Sequence, residues 1–405
     1  MKIKLWHQVL IGLLLGVICG YVLPTYYLWF KPLATVYINL VKMIVIPTIF
    51  FAIIYGITNL SDIRAIGRLG LTSLLVYLVI TGFAVATGML IAHYLQPGTG
   101  LPLADSLLAT AMTAKPITLE EIFVGIFPSN PVAAMANGNT LQIVFFAVVF
   151  GISLVLAGEK SAEARKVLTS VTSAVFKMVE LVIKVTPYGA FAIMAWIVGE
   201  YGFVLLLRLG KLAAIIMLGF TIQYLAFGLM LILFKLKPGN FYRKTMGVQS
   251  IAFATSSSKA TILPAIQILQ KQVGVSEKIA SFVLPLGAAI NMAGSAIYIA
   301  ICAIFFAQLY GVTLTGHQYL VLAITSTIGS VGAAGYPSGA VIMLSMVLPA
   351  IGLPIDHLPL IMGIDRILDM FRTVVNVTGD CAATVIVDKL NGTLDTEQYN
   401  MHFTQ

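Results

Sequence analysis

Five polar residues near the end of an apolar chain share one helical stripe. Asp365, Asp369, Arg372, Asn376 and Asp380 are spaced four, three, four and four residues apart. At about 100° per residue, that spacing puts all five on one face of a helix. Arg372 is charged at any accessible pH, and its planar fork of N–H donors can grip a carboxylate with two hydrogen bonds. Asp365 and Asp369 lie one to two turns away, so one can hold the guanidinium while the other receives an ammonium. Asn376 can offer its amide to a second carboxylate or its carbonyl to a cation. A ligand with one ammonium and two carboxylates, such as aspartate or glutamate, satisfies the set. The competing reading is that arginine and aspartates merely neutralise one another, although apolar side chains would pack the helix at lower cost. Asp380 lies two turns beyond Arg372. With Asn376, Asn291 and carbonyls near Gly287 it can form a hard-oxygen cage for a small cation. Its alternative is a protonated carboxyl bonded to a neighbour, which would itself carry a proton.

The elements that position these residues must lie in a membrane. Of 405 residues, 59% are hydrophobic and only 10% charged, against roughly 25% charged in soluble domains. A charge at the centre of a membrane helix costs roughly 2.5–3.5 kcal/mol even on lenient scales, so the stripe should face a cavity or a partner. No polar segment is long enough to form a separate soluble domain. The net charge of +8 comes from short basic loops, such as Lys160 with Arg165 and Lys166, or Lys235 with Lys237, Arg243 and Lys244. Such loops mark the cytoplasmic side rather than nucleic-acid binding. Cys19, Cys302 and Cys381 have neither disulfide nor zinc spacing. The five histidines are scattered, no Walker lysine motif is present, and Ser257 has no partnered His and Asp. ATP drive, hydrolysis and cofactor chemistry are therefore not expected, and the chain is not read as an enzyme. The N-terminus is expected to be the first helix rather than a cleaved signal.

Apolar stretches at about 8–30, 33–58, 70–95, 131–157, 167–200, 211–235, 279–309 and 357–388 read as eight spans. Two further segments, 245–272 and 319–350, are split by polar tips: Thr255, Ser256, Ser257 and Ser258 in one, and a Gly-rich 329–339 in the other. Each arm is too short to span. Each segment therefore fits a helical hairpin that enters and leaves on one side, with irregular backbone tolerated only against protein or a water-filled cavity. Two hairpin-plus-helix units entering from opposite sides are the mark of an inverted repeat with its site at the midplane. Hairpin tips with exposed helix N-termini attract carboxylates.

At these residues the chain resembles the glutamate transporter family, the dicarboxylate/amino acid:cation symporters that include archaeal aspartate transporters and excitatory amino acid transporters. The resemblance rests on residues 255–258, on the run Asn291, Met292, Ala293, Gly294 and Ser295, on the Gly-rich second hairpin, and on the last helix from Asp365 to Asp380. It implies an all-α polytopic fold of eight transmembrane helices and two re-entrant hairpins, built as inverted repeats and moving as an elevator. It also implies a homotrimer in the cell membrane, multi-pass, with both termini cytoplasmic. Residues 1–69 and 131–205 would form a scaffold, and 70–96 with 206–390 a transport domain holding both hairpins. Residues 97–130 would be an extracellular loop and 391–405 a cytoplasmic tail. By the resemblance, Arg372 binds the side-chain carboxylate and Asp365 supports it. Asp369 and Thr373 take the amino group, and Asn376 with the Ser258 region takes the main-chain carboxylate. Ser256, Ser295, Gly335, Tyr336 and Ser338 complete the substrate site.

Departures from the family pattern fall on the cation sites. Ala293 stands where the motif has an aspartate, and Ile80 where a threonine accompanies Tyr77 and Thr81. Ala289 and Ala333 replace threonines of a second site. The site of Gly287, Asn291, Asn376 and Asp380 keeps its ligands as a single possible sodium site. The sequence thus predicts a transporter of acidic amino acids coupled to protons or to fewer sodium ions. The alternatives are a C4-dicarboxylate symporter and, in another class, a substrate-gated anion channel or membrane receptor. Lys259, beside the serine run, supplies a charge that Ser256 lacks relative to some relatives, occupies space a cation would otherwise fill, or snorkels at the cytoplasmic mouth.

Overall fold

The computed structural model describes residues 5–58, 67–99, 124–332, 339–355 and 357–401. Among these residues the regular structure is helical throughout, as expected of backbone that must satisfy its own hydrogen bonds away from water. The helices are α1 (Leu5–Val22), α2 (Tyr27–Thr58), α3 (Gly67–Leu95), α4 (Pro131–Ala136), α5 (Thr140–Leu156), α6 (Ala162–Tyr201), α7 (Phe203–Leu233), α8 (Pro238–Thr255), α9 (Ser258–Ile268), α10 (Glu277–Ile290), α11 (Ala293–Leu309), α12 (Gly316–Gly332), α13 (Gly339–Ala350), α14 (Pro359–Leu390) and α15 (Thr396–Asn400). Leu69–Leu95, Leu207–Leu233, Glu277–Leu309 and Ile364–Leu390 are long and apolar enough to cross a membrane. Two bent pairs, His7–Val22 with Pro24–Leu40 at 105° and Gly158–Val182 with Lys184–Glu200 at 43°, raise the number to as many as six.

The helices pack in two groups. In the first, α1 and α2 lie along α6, and α5 lies along α2. A stripe of small residues brings α1 onto α6: a Cβ at Gly16 would sit 2.5 Å from the Phe191 carbonyl oxygen, and one at Gly20 would sit 2.6 Å from that of Ala195. This is the close backbone approach that small-xxx-small spacing permits between membrane helices. The expected span at 131–157 is interrupted. Asn130 caps α4, accepting from the amides of Val132 at 3.0 Å and Ala133 at 3.1 Å, and Gly138 then turns the chain at φ +70° before α5.

In the second group, α3, α7, α12, α13 and α14 surround α11, which is buried along its whole length except at Gln308; α10 packs on α14. Two breaks among the described residues lie against α14. Between α8 and α9, Ser256 adopts a left-handed turn at φ +50°, and the Ser257 side chain caps α9 by accepting from the Ala260 amide at 3.3 Å. The two arms, α8 and α9, pack on each other and on α14. Between α10 and α11, the Asn291 amide returns to the Gly287 carbonyl at 2.7 Å, and the chain restarts at Ala293. The arms α12 and α13 also pack on each other; residues 333–338, between them, lie outside the described residues.

Candidate functional site

The polar stripe of the sequence is a buried face of α14. Asp365, Asp369, Arg372, Thr373, Asn376 and Asp380 are each at most 4% exposed, so their charges must be met from within the protein. Arg372 meets its own. One Nη donates to Asp365 at 3.0 Å, and the other is ion-paired closely with Asp369. The guanidinium also lies 4.6 Å from the centroid of the Tyr298 ring of α11, a cation–π arrangement that fixes its plane. Arginine carries five N–H donors, and these two ion pairs use two of them. The remaining donors give the fork capacity for an incoming carboxylate. The Thr373 hydroxyl donates to the Asp369 carbonyl at 2.8 Å, which leaves its oxygen as an acceptor.

One turn further on, Asn376 joins α14 to the start of α11. Its Oδ1 accepts from the Gly294 amide at 2.8 Å and the Ser295 amide at 3.4 Å, and its Nδ2 donates to the Ser295 hydroxyl at 3.4 Å. The break before α11 frees these two amides from helical partners, so Asn376 serves as a cap supplied from another helix. Ser256 and Ser258 are both buried at the α8–α9 break. The Ser256 hydroxyl has no hydrogen-bond partner, and the Ser258 carbonyl accepts from Thr261 at 2.6 Å. Phe253, one turn before the break, packs edge-on against Phe371, the neighbour of Arg372. Gly335, Tyr336 and Ser338, expected at the second tip, lie outside the described residues, as does Ala333.

Asp380, Asn291 and Gly287, three of the four residues expected at the cation site, lie together. Asn291 Nδ2 donates to Asp380 Oδ1 at 3.0 Å, and its own Oδ1 is buried without a partner. A Cβ at Gly287 would sit 2.8 Å from both Asp380 Oδ1 and the Tyr77 hydroxyl oxygen. The absence of a side chain there keeps two oxygens facing one small space. Buried polar atoms are nearly always partnered, so an unpartnered amide oxygen beside a carboxylate suits a cation held by hard oxygens. The side chain of Asn376, the fourth residue expected there, holds the start of α11 one turn before Asp380. Ile80 and Ala293 are buried, and their apolar side chains offer no ligand atom.

Sequence reasoning overlooked three residues. Arg366 is buried, and its Nη1 reaches Asp369 Oδ2 at 3.4 Å. Residues 366, 369, 373, 376 and 380 are themselves an i+3/i+4 series, so the signal was present. Tyr298 sits three residues past Ser295, on the same face of α11. Asp388 continues the stripe two turns past Asp380 and accepts from the Ser276 amide at 2.9 Å and hydroxyl at 2.8 Å, capping α10 from across the fold. Lys259, open to three readings from the sequence, lies 4.8 Å from the Phe176 ring centroid of α6. Among the described residues, no group of three or more His, Cys, Asp and Glu is arranged to hold a metal.

Helices with apolar outer faces around a buried, ion-paired polar stripe define a membrane protein that handles charged solutes. The family model for the sodium:dicarboxylate symporter family matches residues 5–390. The chain is 33% identical to the proton/glutamate-aspartate symporter of Bacillus subtilis strain 168, over 96% of this chain and 95% of that one. It is 32% identical to the proton/sodium-glutamate symport protein of Geobacillus stearothermophilus, over 100% and 98%, and 32% identical to the C4-dicarboxylate transport protein of Aeromonas salmonicida strain A449, over 98% and 95%. The chain belongs to the sodium:dicarboxylate symporter family. It is a transporter, not an enzyme.

Proposed function

We propose that the chain carries aspartate or glutamate across the cell membrane together with protons or a reduced number of sodium ions. The observation that carries this reading is the pair Arg372 and Asp369: a carboxylate-gripping fork and a carboxylate that can receive an ammonium, side by side in a buried site. A plain dicarboxylate has no ammonium to engage Asp369. The second reading, a C4-dicarboxylate symporter, is favoured by a relative of equal identity and makes the opposite prediction at that residue. Substrate entry exchanges the Arg372–Asp369 pair for two substrate pairs: Arg372 turns to a carboxylate while Asp369 turns to the ammonium. Asn376, Thr373, Ser295 and the two hairpin tips, with Ser256 and Ser258 on one and Gly335, Tyr336 and Ser338 on the other, close around the rest of the ligand.

The coupling cation binds at Asp380, Asn291 and Gly287, and the apolar Ile80 and Ala293 are why fewer sodium ions accompany each substrate. In this reading α8–α9 and α12–α13 are the two re-entrant hairpins of an eight-span inverted-repeat fold. The group around α11 and α14 travels as an elevator against a scaffold of α1, α2, α5 and α6, within a homotrimer whose termini are cytoplasmic. The direct test is uptake of labelled aspartate into proteoliposomes under an inward sodium gradient and, separately, an inward proton gradient. Accumulation above equilibrium under either gradient is expected. Aspartate that never exceeds equilibrium under any ion gradient overturns the reading in favour of a channel or receptor.

A further inference from the structure

Arg366 is a second buried guanidinium that the substrate chemistry above does not use. It is 8% exposed, its Nη1 lies 3.4 Å from Asp369 Oδ2, and its Nε is buried with no partner. Asp369 is therefore shared, with Oδ1 on Arg372 and Oδ2 on Arg366. When Arg372 turns to a substrate carboxylate, the Arg366 contact is the one that keeps Asp369 where an ammonium can reach it. The charge pattern matters as much as the geometry. Asp365 and Asp369 are balanced by Arg366 and Arg372, so this part of the site is neutral before substrate enters, and an acidic amino acid then adds one negative charge. Without Arg366 the same buried site would hold one further uncompensated negative charge, which a low-dielectric interior does not tolerate without a partner. Lys259, at the start of α9, lies against Phe176 of α6.

We propose that Arg366 is a fixed counter-cation of the transport site: a positioning residue for Asp369 whose tethered charge stands in for one co-transported monovalent cation. The inference rests on the acidic amino acid reading, and it assigns the reduced cation requirement to a residue that adds charge as well as to those that have lost ligand atoms. The test measures aspartate affinity of the purified full-length protein against cation concentration, for wild type, Arg366→Gln and Arg366→Lys. One arm varies sodium at fixed pH, and the other varies pH without sodium. By linkage, Arg366→Gln should require one more cation per bound aspartate in one arm. A tenfold dilution of that cation should then weaken its binding by about tenfold more than it weakens wild type, and saturating cation should restore binding. Arg366→Lys should keep the wild-type dependence. An unchanged dependence in Arg366→Gln overturns the proposal. So does a monodisperse, thermally stable Arg366→Gln protein that binds no aspartate even at saturating cation, since the role would then exceed its charge. Wild type failing to bind aspartate would instead sink the underlying substrate reading.

Discussion

Gly287→Ala tests the cation site with a single methyl group. The added Cβ would sit 2.8 Å from Asp380 Oδ1 and from the Tyr77 hydroxyl, whereas ordinary van der Waals contact begins at 3.4 Å. Neither oxygen is free to retreat. Asp380 Oδ1 accepts from Asn291 Nδ2 at 3.0 Å, and the Tyr77 hydroxyl donates to the Val283 carbonyl at 2.7 Å. Forcing a methyl group into a packed interior costs about 1–3 kcal/mol. Here the same methyl also fills the space that a cation would share with these oxygens. If the whole penalty falls on the cation-bound state, the cation concentration for half-maximal aspartate uptake should rise about 5- to 140-fold, at 1.4 kcal/mol per tenfold. The assay is initial-rate uptake into proteoliposomes across a cation titration, with thermal unfolding of the detergent-solubilised protein as the control for global damage. An unchanged half-maximal concentration in a stable protein would show that Asp380 and Tyr77 do not border the coupling site. A large loss of thermal stability with an unchanged cation dependence would mean the methyl acts on packing alone.

Three further outcomes follow from the geometry. Asp369→Asn removes a charged hydrogen-bond acceptor worth about 1.5–3 kcal/mol, so aspartate affinity should fall about 10- to 150-fold while succinate affinity changes less; competition for labelled uptake separates the two. Asp388→Ala leaves the half-buried Ser276 amide and hydroxyl without their acceptor, a loss of about 0.5–1.5 kcal/mol per hydrogen bond, seen as a lowered unfolding temperature with no change in substrate selectivity. Lys259→Ala removes the contact with Phe176, worth about 0.5–2 kcal/mol, and should alter transport rate more than substrate affinity, because the contact joins α9 to α6 rather than to the site; rate and affinity measured on one preparation decide it.

Much of this organisation was legible in the sequence because membrane helices announce themselves by length and apolarity. The breaks at 256–257 and 291–292 were readable from serine, asparagine and glycine interrupting apolar runs, since these residues supply the caps and left-handed turns that a broken helix needs. The stripe on α14 was readable because four- and three-residue spacing admits one face only. What escaped reading was pairing across the fold. Spacing along α14 says nothing of Tyr298 beneath Arg372, of Asp388 capping a helix more than a hundred residues earlier, or of Asn376 bonding the start of α11. Arg366 was missed for another reason: it stands next to Asp365 in sequence, and a single-face reading discards immediate neighbours, although its long side chain reaches forward to Asp369.

The most direct measurement is aspartate accumulation by Arg372→Ala in proteoliposomes under the gradient that drives wild type. Arg372 offers both the donors and the positive charge that a second carboxylate requires. The variant should therefore lose aspartate and glutamate transport by about 100-fold or more, a loss of about 3 kcal/mol, with Arg372→Lys recovering only part, because an ammonium cannot form the two-point grip. Aspartate accumulation by Arg372→Ala at the wild-type rate and affinity would contradict the assignment of this stripe as the substrate site.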